Sequence, residues 1–361
     1  MRLRAMSTKL FLLALLPAAL HSAAPPQVDI FRAGEGGYAS YRIPALIATP
    51  KGTLLAFCEG RRNSASDTGD IDLLLRRSFD QGKTWQPLQT IADFGDNTVG
   101  NPAPVIERKT GAILLLMTSN PGAVAERQTT TRDRTIWIAR STDDGKTWTK
   151  PHEITSQVKL PDWTWYATGP GNGIQLRSGR LIIPCDHNLA GERRFSHLIY
   201  SDDRGATWKI GGIAEEKTNE SVIVELKSGE MLFNMRSYHG KNRRAVQRSN
   251  DGGLTFSPLT LDETLIEPVC QASMITGPKN SVLFSNPADT KRTHMTVRMS
   301  NDGGHTWAAA KLIHEGPAAY SSLAMMRGGQ IGLLYELGEK GPYERIVFTH
   351  FDTRWLQGKS Q

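Results

Sequence analysis

One eight-residue phrase, Ser-x-Asp-x-Gly-x-Thr-aromatic, recurs five times along the chain and narrows what it can fold into. The copies occupy residues 78–85, 141–148, 201–208, 249–256 and 300–307, so they start 63, 60, 48 and 51 residues apart. Intervals of this order belong to propeller blades or solenoid units. The phrase has the chemistry of a tight hairpin. Ser and Asp side chains cap free backbone amides, Gly supplies a positive φ, and the aromatic ring packs back between sheets. It holds no nucleophile and acid in a fixed relation, so it is read as scaffold.

The residues between the copies fit that reading. Short runs such as 54–57, 113–117, 136–140, 181–185, 231–235, 295–299 and 331–337 are rich in Ile, Val, Leu, Met and Phe and are bounded by turn residues. Beyond the first 24 residues no window sustains a 3.6-residue apolar period for three turns. The expected fold class is all-β. A solenoid would need capped ends, whereas a ring of four-stranded blades closes on itself and leaves only short protected edges.

The first 24 residues stand apart. Arg2, Arg4 and Lys9 precede an apolar run of 11 residues (10–20), and Ser22-Ala23-Ala24 supplies small residues suited to cleavage. That run is too short for a bilayer, which needs ~20 residues, so residues 1–24 read as a signal peptide and the product as exported, periplasmic or extracellular. Removing three Lys/Arg lowers the formal charge from +7 to +4 (7 − 3). No block of five like charges remains, so nucleic acid is not expected as a partner, while a mildly basic surface suits an anionic substrate. Cys58, Cys185 and Cys270 are an odd set in apolar surroundings and read as buried thiols. The histidines show no metal spacing, so no metal or cofactor is expected.

If the repeats are scaffold, chemistry must come from the residues between them. Arg42 sits inside an otherwise apolar opening strand, in Tyr41-Arg42-Ile43-Pro44, and Arg236 repeats that setting in Asn234-Met235-Arg236-Ser237. Arg61 follows a strand end, and Arg292 precedes the last copy of the phrase by eight residues. Arg193-Arg194 and Arg243-Arg244 read as solvated loop charges. Trp163-Thr164-Trp165-Tyr166 fits a glycan cleft, core packing or a turn.

The phrase matches the Asp-box, and Tyr41-Arg42-Ile43-Pro44 matches the YRIP motif, of exo-sialidases. From about Val28 to about Phe351 the chain resembles bacterial and animal sialidases of the Asp-box, or BNR-repeat, superfamily. That resemblance implies a six-bladed β-propeller filling residues 25–361. It implies that Arg42, Arg236 and Arg292 clamp the carboxylate of a sialic acid, a task suited to a permanently charged, bidentate guanidinium. Arg292 is preferred to Arg298 by its place before the last box. Glu336 is similar to the carboxylate that orients the first clamp arginine, and Arg61 to an arginine near the sugar O4. Asp67 resembles the family's acid/base. Asp70 and Asp72, its competitors, alternate with Ile71 and Leu73 as a strand face would. Tyr320 resembles the nucleophile and Glu220 its base partner.

A tyrosine suits a sugar that carries its own carboxylate on the anomeric carbon, because a second carboxylate attacking there would be repelled. The implied activity is retaining hydrolysis of terminal α-linked sialic acids from glycans, by a monomer without a cofactor. The alternatives are a non-catalytic propeller binding acidic sugars, and a same-fold enzyme acting on a related keto-acid sugar or by trans-sialidation. Asp67, Glu220 and Tyr320 separate the first from an enzyme, since a binder needs only the arginines.

Overall fold

A computed structural model describes residues 25–125 and 128–358; the expected signal peptide lies outside the described residues. The regular elements of the described chain are nearly all β-strands, as expected of an all-β fold. Strand β1 (Gln27–Arg32) is followed by β2 (Ser40–Ala48), β3 (Leu54–Arg61), β4 (Ile71–Ser78) and β5 (Gln89–Ala92), of which β2 to β5 form one antiparallel ladder. The next comprises β6 (Thr98–Glu107), β7 (Ala112–Asn120), β8 (Thr135–Ser141) and β9 (His152–Glu153). In the third, β10 (Tyr166–Thr168) and β11 (Ile174–Gln175) share β12 (Leu181–Leu189), which continues to β13 (Arg193–Ser201) and β14 (Lys209–Glu216). The fourth comprises β15 (Thr218–Glu225), β16 (Met231–Ser237), β17 (Arg243–Ser249) and β18 (Thr260–Ile266).

The fifth runs β19 (Ser273–Thr276), β20 (Val282–Pro287), β21 (Thr293–Ser300) and the first part of β22 (Ala309–Met325). The second part of β22 opens the last ladder, with β23 (Ile331–Leu337), β24 (Arg345–Phe351) and, as its outermost strand, β1. The start of the chain thus completes the sheet that its end began.

Second strands such as β3 and β23, paired on both sides, are buried along their whole length, which is why they read as near-continuous apolar runs instead of alternating ones. Their side chains fill the gaps between successive ladders. One cluster packs Leu55 and Phe57 against Ile113 and Leu115, and others join each later pair of ladders in turn. A further cluster joins the last ladder to the first, through Phe348 and Leu334 on one side and Leu46 and Leu74 on the other.

The five copies of the repeated phrase are the turns between the third and fourth strands of the first five ladders. In the copy at Ser141, Asp143 accepts from Thr147 N at 2.8 Å and Thr147 Oγ1 at 2.6 Å, and Ser141 Oγ accepts from Gly145 N at 2.9 Å. The two bonds from Thr147, with one from the Ser141 hydroxyl, hold the Asp143 carboxyl down to about 2. Gly145 has φ +76°, and a Cβ there would lie 2.4 Å from Leu55 of the preceding ladder. Each box therefore also staples its own ladder to the one before it. The last ladder has no box because its third and fourth strands, β24 and β1, are not consecutive in the chain. The three cysteines are buried and free.

Candidate active site

Four inner strands break register near one end, at the same level in each ladder. Pairing jumps from Arg42↔Glu59 to Ala45↔Phe57, from Gly100↔Thr118 to Ala103↔Leu116, from Thr218↔Ser237 to Ser221↔Met235, and from Ala318↔Leu337 to Ser321↔Tyr335. In each, two residues oppose one, which is a β-bulge, and bulges re-aim side chains beside functional sites. The doubled residues are Ile43-Pro44, Asn101-Pro102, Asn219-Glu220 and Ala319-Tyr320. Ile43 and Asn101 adopt φ of 60° and 55°, a region that strains the β-branched Ile43 and that asparagine tolerates. The prolines after them need no ladder partner, so they fit a bulge where they would not fit a regular central strand.

Glu336 is the single residue opposite the last of these bulges, and it is fully buried. Its Oε1 accepts from Arg42 Nε and Ile43 N, both at 2.8 Å, and its Oε2 accepts from Tyr320 N at 3.1 Å. One carboxylate thereby fixes Arg42 and the backbone of Tyr320 together. Burial disfavours the Arg42 cation, but Glu336 more than compensates and the guanidinium stays charged. It also lies over the Tyr343 ring, 3.8 Å from its centroid.

The same logic repeats at the Glu220 bulge, where the opposing residue is Arg236. Arg236 Nη1 donates to Glu220 Oε2 at 2.7 Å and to the Tyr320 hydroxyl at 3.3 Å. The Tyr320 hydroxyl itself donates to Glu220 Oε1. Burial, then the Glu220 charge, push that hydroxyl well above the usual tyrosine range, and Arg236 and Arg292 pull it back only in part. The phenol is therefore neutral at rest, with its proton aimed at a carboxylate. Arg292 donates to the Tyr343 hydroxyl at 2.5 Å. Among the described residues no carboxylate lies within ion-pair distance of Arg292.

Across the cavity, Arg61 grips Glu59 through Nε at 3.0 Å and Nη2 at 2.7 Å, and its Nη1 donates to Ala65 O and reaches Asp67 Oδ1, both at 2.7 Å. Asp67 is 64% exposed and also lies 3.7 Å from Arg42 Nη1. Desolvation alone would raise its carboxyl, but the Arg61 and Arg42 charges outweigh it and hold it below the usual range.

These groups surround one cavity of about 270 Å³, lined by Arg42, Arg61, Asp67, Glu220, Arg236, Arg292 and Tyr320. Glu336 lies beneath it, behind Arg42. All eight sequence-predicted residues are thus brought together. The competitors are not: Asp70 pairs with Arg62, Asp72 is buried against Tyr38 and Arg62, and Arg298 donates to Asn286 away from the cavity. Among the described residues no group of three His, Cys, Asp or Glu is placed to hold a metal.

Two sequence expectations change. None of the four paired arginines is a loop charge, since Arg193 and Arg194 open β13 and Arg243 and Arg244 open β17; Arg244 is moreover fully buried, bonded to Glu267 at 2.7 Å, Asn234 at 2.7 Å and Cys270 O at 2.7 Å. The tryptophan stretch divides. Trp163 and Tyr166 are core, whereas Trp165 lines the cavity with the Arg134 guanidinium 3.6 Å from its ring centroid.

Sequence reasoning missed Glu59, Asn101, Arg134, Asp186, Asn219, Tyr238 and Tyr343, all of which line the cavity. Asn101 carries a readable signal, since Asn101-Pro102-Ala103 repeats the pattern of Ile43-Pro44-Ala45. Glu59 could have been found as the residue two before Arg61 on the same strand face. Tyr343 has no local signature.

A model of the BNR repeat-like domain matches residues 52–333. The chain belongs to the BNR-repeat sialidase family. The Bacteroides fragilis sialidase is 35% identical over 86% of this chain, which spans 62% of that relative. The Arthroderma benhamiae exo-alpha-sialidase is 31% identical, over 94% of this chain and 89% of its own length. Among solved structures, the Hadza microbial sialidase Hz136 superposes with a TM-score of 0.85 at 33% identity, over 91% of this chain and 69% of that one. This sialidase-family chain therefore spans about three-fifths of its Bacteroides relative. No helix among its described residues is long and apolar enough to cross a membrane.

Proposed function

We propose that this protein is an exo-α-sialidase that removes terminal α-linked sialic acids from glycans with retention, using Tyr320 as nucleophile. The observation that carries the reading is the convergence of three guanidiniums from three ladders on one tyrosine. Arg236 Nη1 is 3.3 Å from the Tyr320 hydroxyl, and the Arg42 and Arg292 carbons lie 5.1 and 5.6 Å from its ring centroid. Such a cluster seeks an anion, and each charge-assisted contact to a sugar carboxylate contributes roughly 1.5–3 kcal/mol.

The six antiparallel ladders, with hydrophobic clusters between neighbours and between last and first, support a six-bladed propeller as a single domain over residues 25–361. In it the inner-strand bulges meet around the axis. The signal-peptide pattern of residues 1–24 supports export to the periplasm or beyond.

In the proposed reaction the sugar carboxylate enters the clamp and offsets the Arg42 charge, which loosens the hold on Asp67 and lets it carry a proton. Asp67 protonates the departing glycosidic oxygen. Tyr320 attacks the anomeric carbon as its hydroxyl proton passes to Glu220, which is necessary because the buried phenol does not ionise unaided. Asp67, now a base, then activates the water that releases the sugar, and Glu220 returns its proton to Tyr320.

A fluorogenic α-sialoside assayed at pH values from about 4 to 8 tests the activity, and no turnover by folded protein would refute it. Tyr320→Phe tests the nucleophile. It should lower kcat at least about a thousandfold with an unchanged melting temperature, and retained turnover would remove Tyr320 from that role. Saturable sialic acid binding by the unmodified protein without any turnover would favour an acidic-sugar binding module instead.

A further inference from the structure

The bulge at Ala319-Tyr320 raises the question of what holds this stretch of β22 in place. Toward β23 the answer is Glu336, which takes the Tyr320 N–H. Among the described residues no strand pairs with the opposite edge of residues 318–325. There Ser321 N donates to Gln271 Oε1 at 3.0 Å, and Gln271 Nε2 donates back to Ser321 O at 3.0 Å. One carboxamide thus takes both backbone groups of the residue after Tyr320, as a strand partner would. The same Nε2 also donates to Pro170 O at 3.2 Å. Gln271 therefore ties together its own segment before β19, the segment between β10 and β11, and β22.

Gln271 is 1% exposed and does not line the cavity, so it has no direct contact with a bound sugar. Its neighbour Cys270 packs with Ile43, Ala319 and Tyr320 in a small cluster under the site. Residues 270 and 271 thus supply a floor below the Tyr320 ring and a clip on its backbone. The hydroxyl must meet Glu220, which comes from a different ladder, and a misplacement of about 1 Å at a reacting atom costs on the order of 100-fold in rate.

We propose that Gln271 is a positioning residue for Tyr320, clipping the backbone of the next residue, Ser321, so that the hydroxyl meets Glu220, and that it acts on the attack step instead of on sugar binding. The inference rests on the reading of Tyr320 as nucleophile.

Two variants test it. Gln271→Met keeps the length and removes every hydrogen bond. Gln271→Glu keeps the acceptor for Ser321 N but, when ionised, has no donor for Ser321 O or Pro170 O. Each is assayed for kcat and KM on a fluorogenic α-sialoside, for melting temperature, and for the rate at which saturating 2,3-difluorinated sialic acid is transferred to the protein as its anomeric C–F bond breaks and fluoride leaves, read by intact mass. Both variants should lower kcat and the labelling rate by about 30- to 100-fold per folded molecule while KM stays within about threefold. Gln271→Glu should recover part of its labelling rate, relative to the unmodified protein, as falling pH restores a donor to the carboxyl. Labelling within about twofold of the unmodified protein in either folded variant, or a rise in KM with kcat unchanged, would overturn the inference. If Gln271→Met does not fold, Gln271→Glu decides alone. Tyr320→Phe separates the two readings. Labelling of Tyr320→Phe at the original rate refutes the nucleophile, whereas its loss there beside normal labelling of the Gln271 variants refutes only the clip.

Discussion

Replacing Glu336 with glutamine keeps the size of the side chain but converts one oxygen into a donor. All three partners of the carboxylate are themselves donors: Arg42 Nε and Ile43 N on one oxygen and Tyr320 N on the other. Whichever way the amide turns, at least one buried N–H faces another, at a cost of about 1–3 kcal/mol. Arg42 also loses its buried counter-charge. Breaking such a pair costs about 3–5 kcal/mol when it is fully enclosed. The cost is smaller here because Asp67 lies 3.7 Å from Arg42 Nη1 and the cavity admits water. A net loss of about 4 kcal/mol is expected, which at roughly 2 °C per kcal/mol for a chain of this size lowers the melting temperature by about 8 °C. Scanning calorimetry at one fixed rate measures the shift, and steady-state kinetics on the α-sialoside should show KM raised about tenfold as Arg42 loses its anchor. A melting temperature within about 2 °C of the unmodified protein, with KM unchanged, would refute the view that Glu336 neutralises Arg42 and sets Tyr320.

His187 and His197 are buried with their Nδ1 atoms 3.0 Å apart, and His187 stacks on Trp163 at 3.6 Å. Burial lowers His187 to about 3 and His197 well below the usual range. Their unfolded values lie near 6.5, so between about pH 6.5 and 3 the unfolded chain binds protons that the fold refuses, and stability falls as pH falls. With two groups the slope is about 2.7 kcal/mol per pH unit, and the His187→Gln/His197→Gln double variant should flatten the melting temperature between about pH 7 and 5; an unchanged slope would refute the assignment. Asp143→Ala removes the centre of one box and should cost about 1–2 kcal/mol in denaturant unfolding with kcat unaltered, and a large loss of kcat would contradict the scaffold reading of the boxes.

The boxes were legible because their chemistry is local: Ser, Asp, Gly and Thr bond one another within eight residues, so the sequence carries the whole motif. Arg42 was legible because a charge inside an otherwise apolar strand stands out and Tyr41-Arg42-Ile43-Pro44 matches a family motif; the bulge it sits beside was not. Arg244 was misread because two adjacent arginines on a strand point to opposite faces, and nothing nearby in sequence indicates that Glu267 waits on the buried one. Tyr343 and Arg134 were invisible for the opposite reason. They reach the site from a turn and a strand entry, and their partners Arg292 and Trp165 lie 51 and 31 positions away in the chain (343 − 292 and 165 − 134). Gln271 joins segments whose proximity depends on closure of the whole fold.

The pairing of β1 with β24 has a consequence for how the molecule is made. Gln27 lies opposite Thr349, so the two strands are separated by 322 positions of chain (349 − 27). Bringing such distant ends together costs roughly 5 kcal/mol of loop-closure entropy, which the intervening ladders must already have offset. Strand β1 therefore leaves the ribosome long before its partner β24 and waits for it to find its place. Until residues 345–351 follow it, the outer edge of that sheet cannot form, and a chain halted short of them would present an unpaired strand to its neighbours.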